Sequence, residues 1–395
     1  PQSAALPLTV DTAAPAAPTG VTVTDDVAPV TGAIAANGAS NDNKPTFAGA
    51  AGSAEAGSTI TVMDGATVLG TAVVAADGSW SVTPTTALAD GAHSITTRAT
   101  DAAGNVSPVS PALALTVDTA APAAPAAPTS TAPSTNDNTP GIHIGVGLTD
   151  TPSLYVDGVK VPATYDPVTG TLTPTTPLGD GVHQFTTTLT DAAGNESPQS
   201  AALPLTVDTA APAAPAAPTS TAPSTNDNTP GIHIGVGLTD TPSLYVDGVK
   251  VPATYDPVTG MLTPTTPLAD GAHSITTTLT DAAGNESPQS AALPLTVDTA
   301  APAAPAAPTS TAPSTNDNTP GIHIGVGLTD TPSLYVDGVK VPATYDPVTG
   351  MLTPTTPLAD GAHSITTTLT DAAGNESPQS AALPLTVDTA APAAP

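Results

Sequence analysis

Residues 151–161 read Thr-Pro-Ser-Leu-Tyr-Val-Asp-Gly-Val-Lys-Val, and the Asp157-Gly158 pair within them decides the fold class. Asp-Gly between two short apolar-alternating runs is the strongest local sign of a β-hairpin, because both turn residues must accept positive φ. Leu154-Tyr155-Val156 and Val159-Lys160-Val161 are therefore read as paired strands. Working outward, the period of two persists. Ile142, Ile144, Val146 and Leu148 alternate with His143, Gly145 and Gly147, which predicts a strand with one buried face and His143 turned to solvent. Phe185, Thr187 and Leu189, and then Leu203, Leu205 and Val207, repeat that alternation. No segment sustains a period of 3.6, so the reading is all-β.

The hairpin does not occur once. Sliding the sequence by 90 residues superimposes 121–210 on 211–300, with differences only at Thr171/Met261, Gly179/Ala269, Val182/Ala272, Gln184/Ser274 and Phe185/Ile275. Residues 301–390 repeat 211–300 without change. A longer, divergent relative occupies 19–118 and shares the NDN-x-P, L-x-DG-x-H and DAAGN elements. The expected division is a stub with linker at 1–18, domains at 19–118, 119–208, 209–298 and 299–388, and a linker at 389–395. The opening PQSAALPLTV recurs at 198–207, 288–297 and 378–387, so the chain reads as an excerpt that starts in mid-module. Ninety residues suffice for a small independent sandwich, and short strands at close intervals predict seven-strand antiparallel β-sandwiches. Between modules the chain reads DTAAPAAPAAP, with Pro122, Pro125 and Pro128 three apart, the spacing of one face of a polyproline II helix.

Composition excludes several classes. The 395 residues hold 34 acidic against five basic side chains, a net charge of −29, so the cations that neutralise nucleic-acid phosphates are missing. No Cys is present, which removes disulfides, thiolate metal sites and thiol nucleophiles. Only nine residues are aromatic, so several thin cores are expected rather than one large one. Of the acids, all but Glu55, Glu196, Glu286 and Glu376 are Asp, a residue of turns and of hard-cation sites. No G-x-S-x-G elbow, H-E-x-x-H helix or phosphate loop occurs, and the chain is read as non-enzymatic.

DDVAPVTGAI (25–34), NDNKPTFAGAA, the long stretch from AEAGSTITV through DAAGN, and the closing DTAAP resemble the bacterial Ig-like tandem repeats of giant surface adhesins exported by type I secretion, the biofilm-associated protein type. The resemblance covers essentially the whole chain. Modules 2 to 4 depart from it in the middle, where GIHIGVGLTDTPSLYVDGVKVPATYDPVTG stands instead. It implies an extracellular location on the bacterial cell surface, anchored to the outer membrane through other regions of the protein.

In an Ig-like sandwich the last strand ends at the pole carrying the AB and EF loops, and the next domain presents its BC and FG loops there. That order would gather Asp42, Asp90 and Asp118 of the first module with Asp150 and Asp191 of the second. One module on, the set is Asp137, Asp180, Asp208, Asp240 and Asp281, and then Asp227, Asp270, Asp298, Asp330 and Asp371. Carboxylates meeting without Lys or Arg repel unless a hard cation lies among them, and Ca2+ is the candidate. The resemblance adds that repeats of this kind bind calcium at domain junctions. The competing reading is that each Asp caps its own turn by accepting a nearby backbone N–H.

Seven His never fall at zinc-ligand spacing within a module. His183, after L-x-DG, is expected to bond back to the corner backbone, where many such sandwiches carry a Tyr. The functional expectation is a calcium-rigidified stalk supporting cell adhesion and biofilm formation. Its partners are the neighbouring repeats, with host-surface, matrix or homotypic adhesin contacts beyond them. The alternative is that the repeats themselves bind a glycan or a partner adhesin, for which Tyr155 and Tyr165 offer a repeated face.

Overall fold

The computed structural model describes residues 4–391; Pro1 to Ser3 of the stub and the last four residues of the 389–395 linker lie outside the described residues. The chain divides into two compact units, Pro1–Thr209 and Ala210–Pro395. Each is taken by itself.

In the first unit, the second module is a sandwich of two sheets. The larger sheet runs Ser134–Thr135, Leu203–Val207, Gly181–Thr190, Thr151–Val156, Val159–Val161. The smaller runs Ile142–His143, Thr171–Pro174, Ala163–Asp166. The expected seven strands become eight, one of them the two-residue piece Ser134–Thr135 that pairs parallel to the last strand. Alternate residues from both sheets meet between them, as sheet-on-sheet packing requires. Ile142, Leu154, Val156, Leu172, Phe185 and Leu205 form that core. The first module is larger, with a four-stranded and a five-stranded sheet around Val23, Phe47, Ile60, Val62, Trp80, Ile95 and Leu115, among others. In the second unit both modules repeat the five-plus-three arrangement, with Ile275 and Ile365 filling the place of Phe185.

The deciding hairpin forms as read. Asp157 and Gly158 have φ of 52° and 80°, the paired positive values of a two-residue turn whose twist suits the strands it joins. Strand alternation holds at Phe185 and Thr187 and at Leu205 and Val207, all buried. It fails after Ile142. The observed strand there is Ile142–His143 alone, because Gly145 and Gly147 take φ of 104° and 70° and turn the chain out of the sheet. Val146 is consequently 61% exposed instead of facing the core, while His143 is exposed as expected. The Ala/Pro segment forms no strand; Pro122 and Pro125 are half-buried and Pro128 buried, so the three-residue period turns one proline face inward.

Candidate functional site

The residues that join modules are found at the turn Asp-Ala-Ala-Gly-Asn, which follows the long strand Gly181–Thr190. Asp191 Oδ1 accepts the N–H of Ala193 and of Asn195, each at 2.9 Å, and Oδ2 accepts the Asn195 amide at 2.9 Å. The loop is thereby closed on itself, and its Gly194 adopts a φ of 97°. The same Asn195 amide also reaches the preceding module, donating to the main-chain carbonyl of Asp118 at 2.8 Å. A reciprocal bond runs from the Asn41 N–H to the Ala193 carbonyl at 3.0 Å. A Cβ on Gly194 would stand 3.1 Å from Val30, so the loop tip seats closely on the preceding module.

This joint recurs. At the stub, Asn105 donates to the Asp11 carbonyl at 3.1 Å. Within the second unit, Asn375 donates to the Asp298 carbonyl at 2.7 Å, and the Asn226 N–H to the Ala373 carbonyl at 3.1 Å. Asp281 and Asp371 titrate below the ordinary carboxylate range, chiefly through the side-chain amides of Asn285 and Asn375. Each joint therefore couples a self-capped acidic turn to the end of a strand through neutral hydrogen bonds.

Four stretches, 17–119, 127–209, 217–299 and 307–389, match the family described as the bacterial Ig-like domain. The chain belongs to that family. Solved structures that align with the chain include the tetra-tandem repeat in the extending region of a large adhesion protein, at 19% identity over 95% of this chain and all of that one, TM-score 0.28. A 1.5-MDa bacterial ice-binding adhesin aligns at 17% identity over 71% of this chain and 98% of that one, TM-score 0.24. Fibronectin(III)-like modules of Clostridium thermocellum CbhA align at 16% identity over 47% and 94%, TM-score 0.32. No curated protein matches the chain.

Among the Ig-like modules, the predicted Asp residues divide into those the joint brings together and those it does not. The main-chain carbonyl of Asp118 and the carboxylate of Asp191 meet at one amide, as do those of Asp298 and Asp371, while the Asp118 and Asp298 carboxylates accept the N–H of Ala120 and Ala300. Asp42 is buried and accepts the Lys44 N–H at 2.8 Å; Asp137 and Asp227 cap Thr139 and Thr229 in the same way. Asp90, Asp180 and Asp270 each take the N–H and hydroxyl of the Thr that follows the last strand, Thr119, Thr209 and Thr299. Asp150, Asp240 and Asp330 bond only to the hydroxyl of the preceding Thr, at 3.3 to 3.4 Å. Asp208 bonds through its N–H to the Thr135 carbonyl.

A calcium ion needs about six to eight oxygen ligands around one point. Among the described residues no three His, Asp or Glu side chains are placed to share an ion. Apart from Asp150, Asp240 and Asp330, most of these residues make hydrogen bonds to nearby N–H, hydroxyl or carbonyl groups. What the sequence reading missed is the Asn of DAAGN. Its signal was present in the fixed Asp-x-x-Gly-Asn spacing in every module. The predicted corner bond does form: His183 Nε2 lies 2.8 Å from the Gly179 carbonyl oxygen.

Proposed function

We propose that these Ig-like modules are a spacer region of a bacterial cell-surface adhesin, holding a distal binding region away from the cell and so supporting adhesion and biofilm formation. The modules are divided where the repeat divides them, at 19–118, 119–208, 209–298 and 299–388. The observation that supports this most directly is the recurrence of one joint, in which Asn105, Asn195 and Asn375 each bond the carbonyl of the Asp closing the module before. A row of beads resists bending only at its joints, and a joint repeated with the same donor and acceptor suits a rod. Export as an unfolded chain by type I secretion agrees with the absence of Cys, since no disulfide has to form. Catalysis has no part in the reading. No helix among the described residues is long and apolar enough to cross a membrane.

Calcium rigidification rests on the charge of −29 and on the resemblance alone. Small-angle scattering of the whole chain tests both parts at once. With strands rising about 3.3 Å per residue, a module should span roughly 30–40 Å, and four in a row exceed about 120 Å. A compact particle would end the spacer reading. An extended particle whose dimensions and melting curve are the same in millimolar calcium and in chelator would remove the calcium and leave the spacer.

A further inference from the structure

The corner histidine has two partners, and neither has a proton to give. His183 Nδ1 lies 2.8 Å from Asp157 Oδ2, and Nε2 lies 2.8 Å from the Gly179 carbonyl oxygen. Asp157 is itself an acceptor at its other oxygen, taking the Gln184 N–H at 2.8 Å. A neutral imidazole donates from one nitrogen and accepts at the other, so it satisfies one of these partners and opposes the second. Only the imidazolium donates to both.

Every module has the same arrangement. His93 bridges Asp64 and the Ala89 carbonyl, both at 2.7 Å. His273 bridges Asp247 and the Ala269 carbonyl, both at 2.8 Å. His363 bridges Asp337 at 2.7 Å and the Ala359 carbonyl at 2.8 Å. The carboxylate belongs to the edge hairpin, in its turn at Asp157, Asp247 and Asp337 and on the strand residue just before the turn at Asp64, and the carbonyl to the corner that leads into the long strand. His143, His233 and His323 are exposed and stand outside this arrangement.

We infer that each module is locked by a protonated histidine tying its edge hairpin to its corner, so that all four modules gain stability together as the medium turns mildly acidic. The surroundings of the ring support the charge. Beside Asp157, the corner itself carries one acid, Asp180, whose carboxylate is engaged with Thr209. The hairpin's one cation, Lys160, pairs with Glu196 at 3.4 Å instead. From the neighbouring strand Leu205 faces the ring in register, and Phe185 meets it edge-on at 6.5 Å. In the first module the equivalents are Asp64, Asp90, which is engaged with Thr119, and Leu115 in register.

The titration shifts agree. The Gly179 carbonyl and then Asp157 raise His183 above its usual range, and the Ala269 and Ala359 carbonyls lead the same effect at His273 and His363. At His93, burial is the largest influence and lowers it, but Asp64 and the Ala89 carbonyl together outweigh burial. A histidine raised on folding stabilises fully below its unfolded value of about 6.5, and that contribution disappears as pH rises through the higher folded value. Loss of the proton leaves one corner bond unmade and releases the hairpin Thr151–Val161, whose outer strand Val159–Val161 pairs only with Thr151–Val156.

Histidine NMR of the whole chain provides the test, with the exposed rings as internal reference. His93, His183, His273 and His363 should titrate at higher pH than His143, His233 and His323, and at pH 6 should show protons on both ring nitrogens. Seven rings titrating together, or neutral corner rings at pH 6, would overturn the inference. The melting temperature should fall by roughly 5–10 °C between pH 6 and pH 8.5, the shift a domain of this size shows for about a tenfold change in its folding equilibrium. His→Gln at all four corners should abolish that fall, whereas His→Gln at the three exposed positions should keep it. An unchanged pH dependence in the corner variant counts against the lock; should that variant not fold, the ring titration of the unaltered chain decides.

Discussion

The first module and the second share a corner, an edge hairpin and a DAAGN joint, yet they fill the space between their sheets differently. In the first, Phe47, Trp80 and Val82 of the four-stranded sheet pack on Ile60, Val62 and Ile95 of the other. In the second, the smaller sheet has three strands, and the buried core reduces to Ile142, Leu154, Val156, Leu172, Phe185 and Leu205. Polar braces stand where apolar bulk is lacking. Tyr165 hydroxyl donates to the Gly145 carbonyl at 2.8 Å, across the gap left where the strand after Ile142 breaks. On the outer face Glu196 gathers Thr188 at 2.6 Å, Tyr155 at 2.9 Å and Lys160 at 3.4 Å, and the Thr188 hydroxyl leads in holding its carboxyl below the usual range. At the equivalent bridge position the first module carries Val106. One outline is thus stable with a deep apolar core or with a thin core and an outer polar cluster.

The largest effect should come from removing the largest fully buried side chain in each. Phe47 and Phe185 are both fully buried, and Phe→Ala typically costs about 3–5 kcal/mol. In the first module Trp80 and its neighbours remain, and Phe47→Ala should lower that module's melting point while leaving it folded at 25 °C. In the second module Phe185→Ala takes away the one aromatic ring of its buried core, and the module should be unfolded at 25 °C within an otherwise folded chain. Hydrogen exchange along Gly91–Thr100 and Gly181–Thr190 distinguishes the two outcomes. Equal protection in both variants would show that core depth does not separate the modules.

A gain, smaller than that loss, is expected at a feature both regions share. The hydroxyl of Thr187 is buried without a hydrogen-bond partner, and so are those of Thr97, Thr277 and Thr367. An unmade bond of this kind costs about 1–3 kcal/mol, and a methyl of nearly the same shape has no such need. Thr187→Val and Thr97→Val should each stabilise their own module by about 1–2 kcal/mol in calorimetry. Should only Thr97→Val stabilise, the thin core would be shown to have no room for the exchange; destabilisation in both would show that the hydroxyls are satisfied after all.

The fold was largely readable because its decisive signals are local. Asp157-Gly158 needs nothing beyond its two φ angles to make a hairpin, and the alternation through Phe185 and Thr187 follows from the pleat. The strand expected through Val146 was not readable from hydropathy. Its alternation was carried by Gly145 and Gly147, which served equally well as polar spacers in a strand or as turn residues with positive φ. The candidate site was legible only in part. The Asp118 main-chain carbonyl and the Asp191 carboxylate share the Asn195 amide, but spacing does not reveal where a carboxylate points, and that of Asp118 accepts the Ala120 N–H. Asp42 and Asp137 accept the N–H two residues on, a partner that any Asp followed by a tight turn has at hand, while Asp90 takes the N–H of Thr119 beyond the last strand. Asn195, which bonds both sides of the joint, was read only as a turn residue, since one amide serves both purposes.

The smallest effect tests whether the thin-core modules are interchangeable where they differ. Met261 and Thr171 occupy the same position at the start of the strand paired with His233 or His143. A Cβ added to Gly231 would sit 3.5 Å from the Met261 sulfur, an ordinary contact, whereas one added to Gly141 would come within 2.6 Å of the Thr171 methyl. Thr therefore packs more closely on its glycine than Met does, while Met, with its flexible stem, lines the groove beside His233. Both side chains are half-buried, and both positions sit at the rim of the core rather than in it. Met261→Thr should accordingly leave the third module's stability within about 0.5 kcal/mol, the range of surface substitutions. A loss above about 1 kcal/mol would mean that the rim contributes to a core this thin, and the contrast with the first module would then extend from buried residues to the sheet edges.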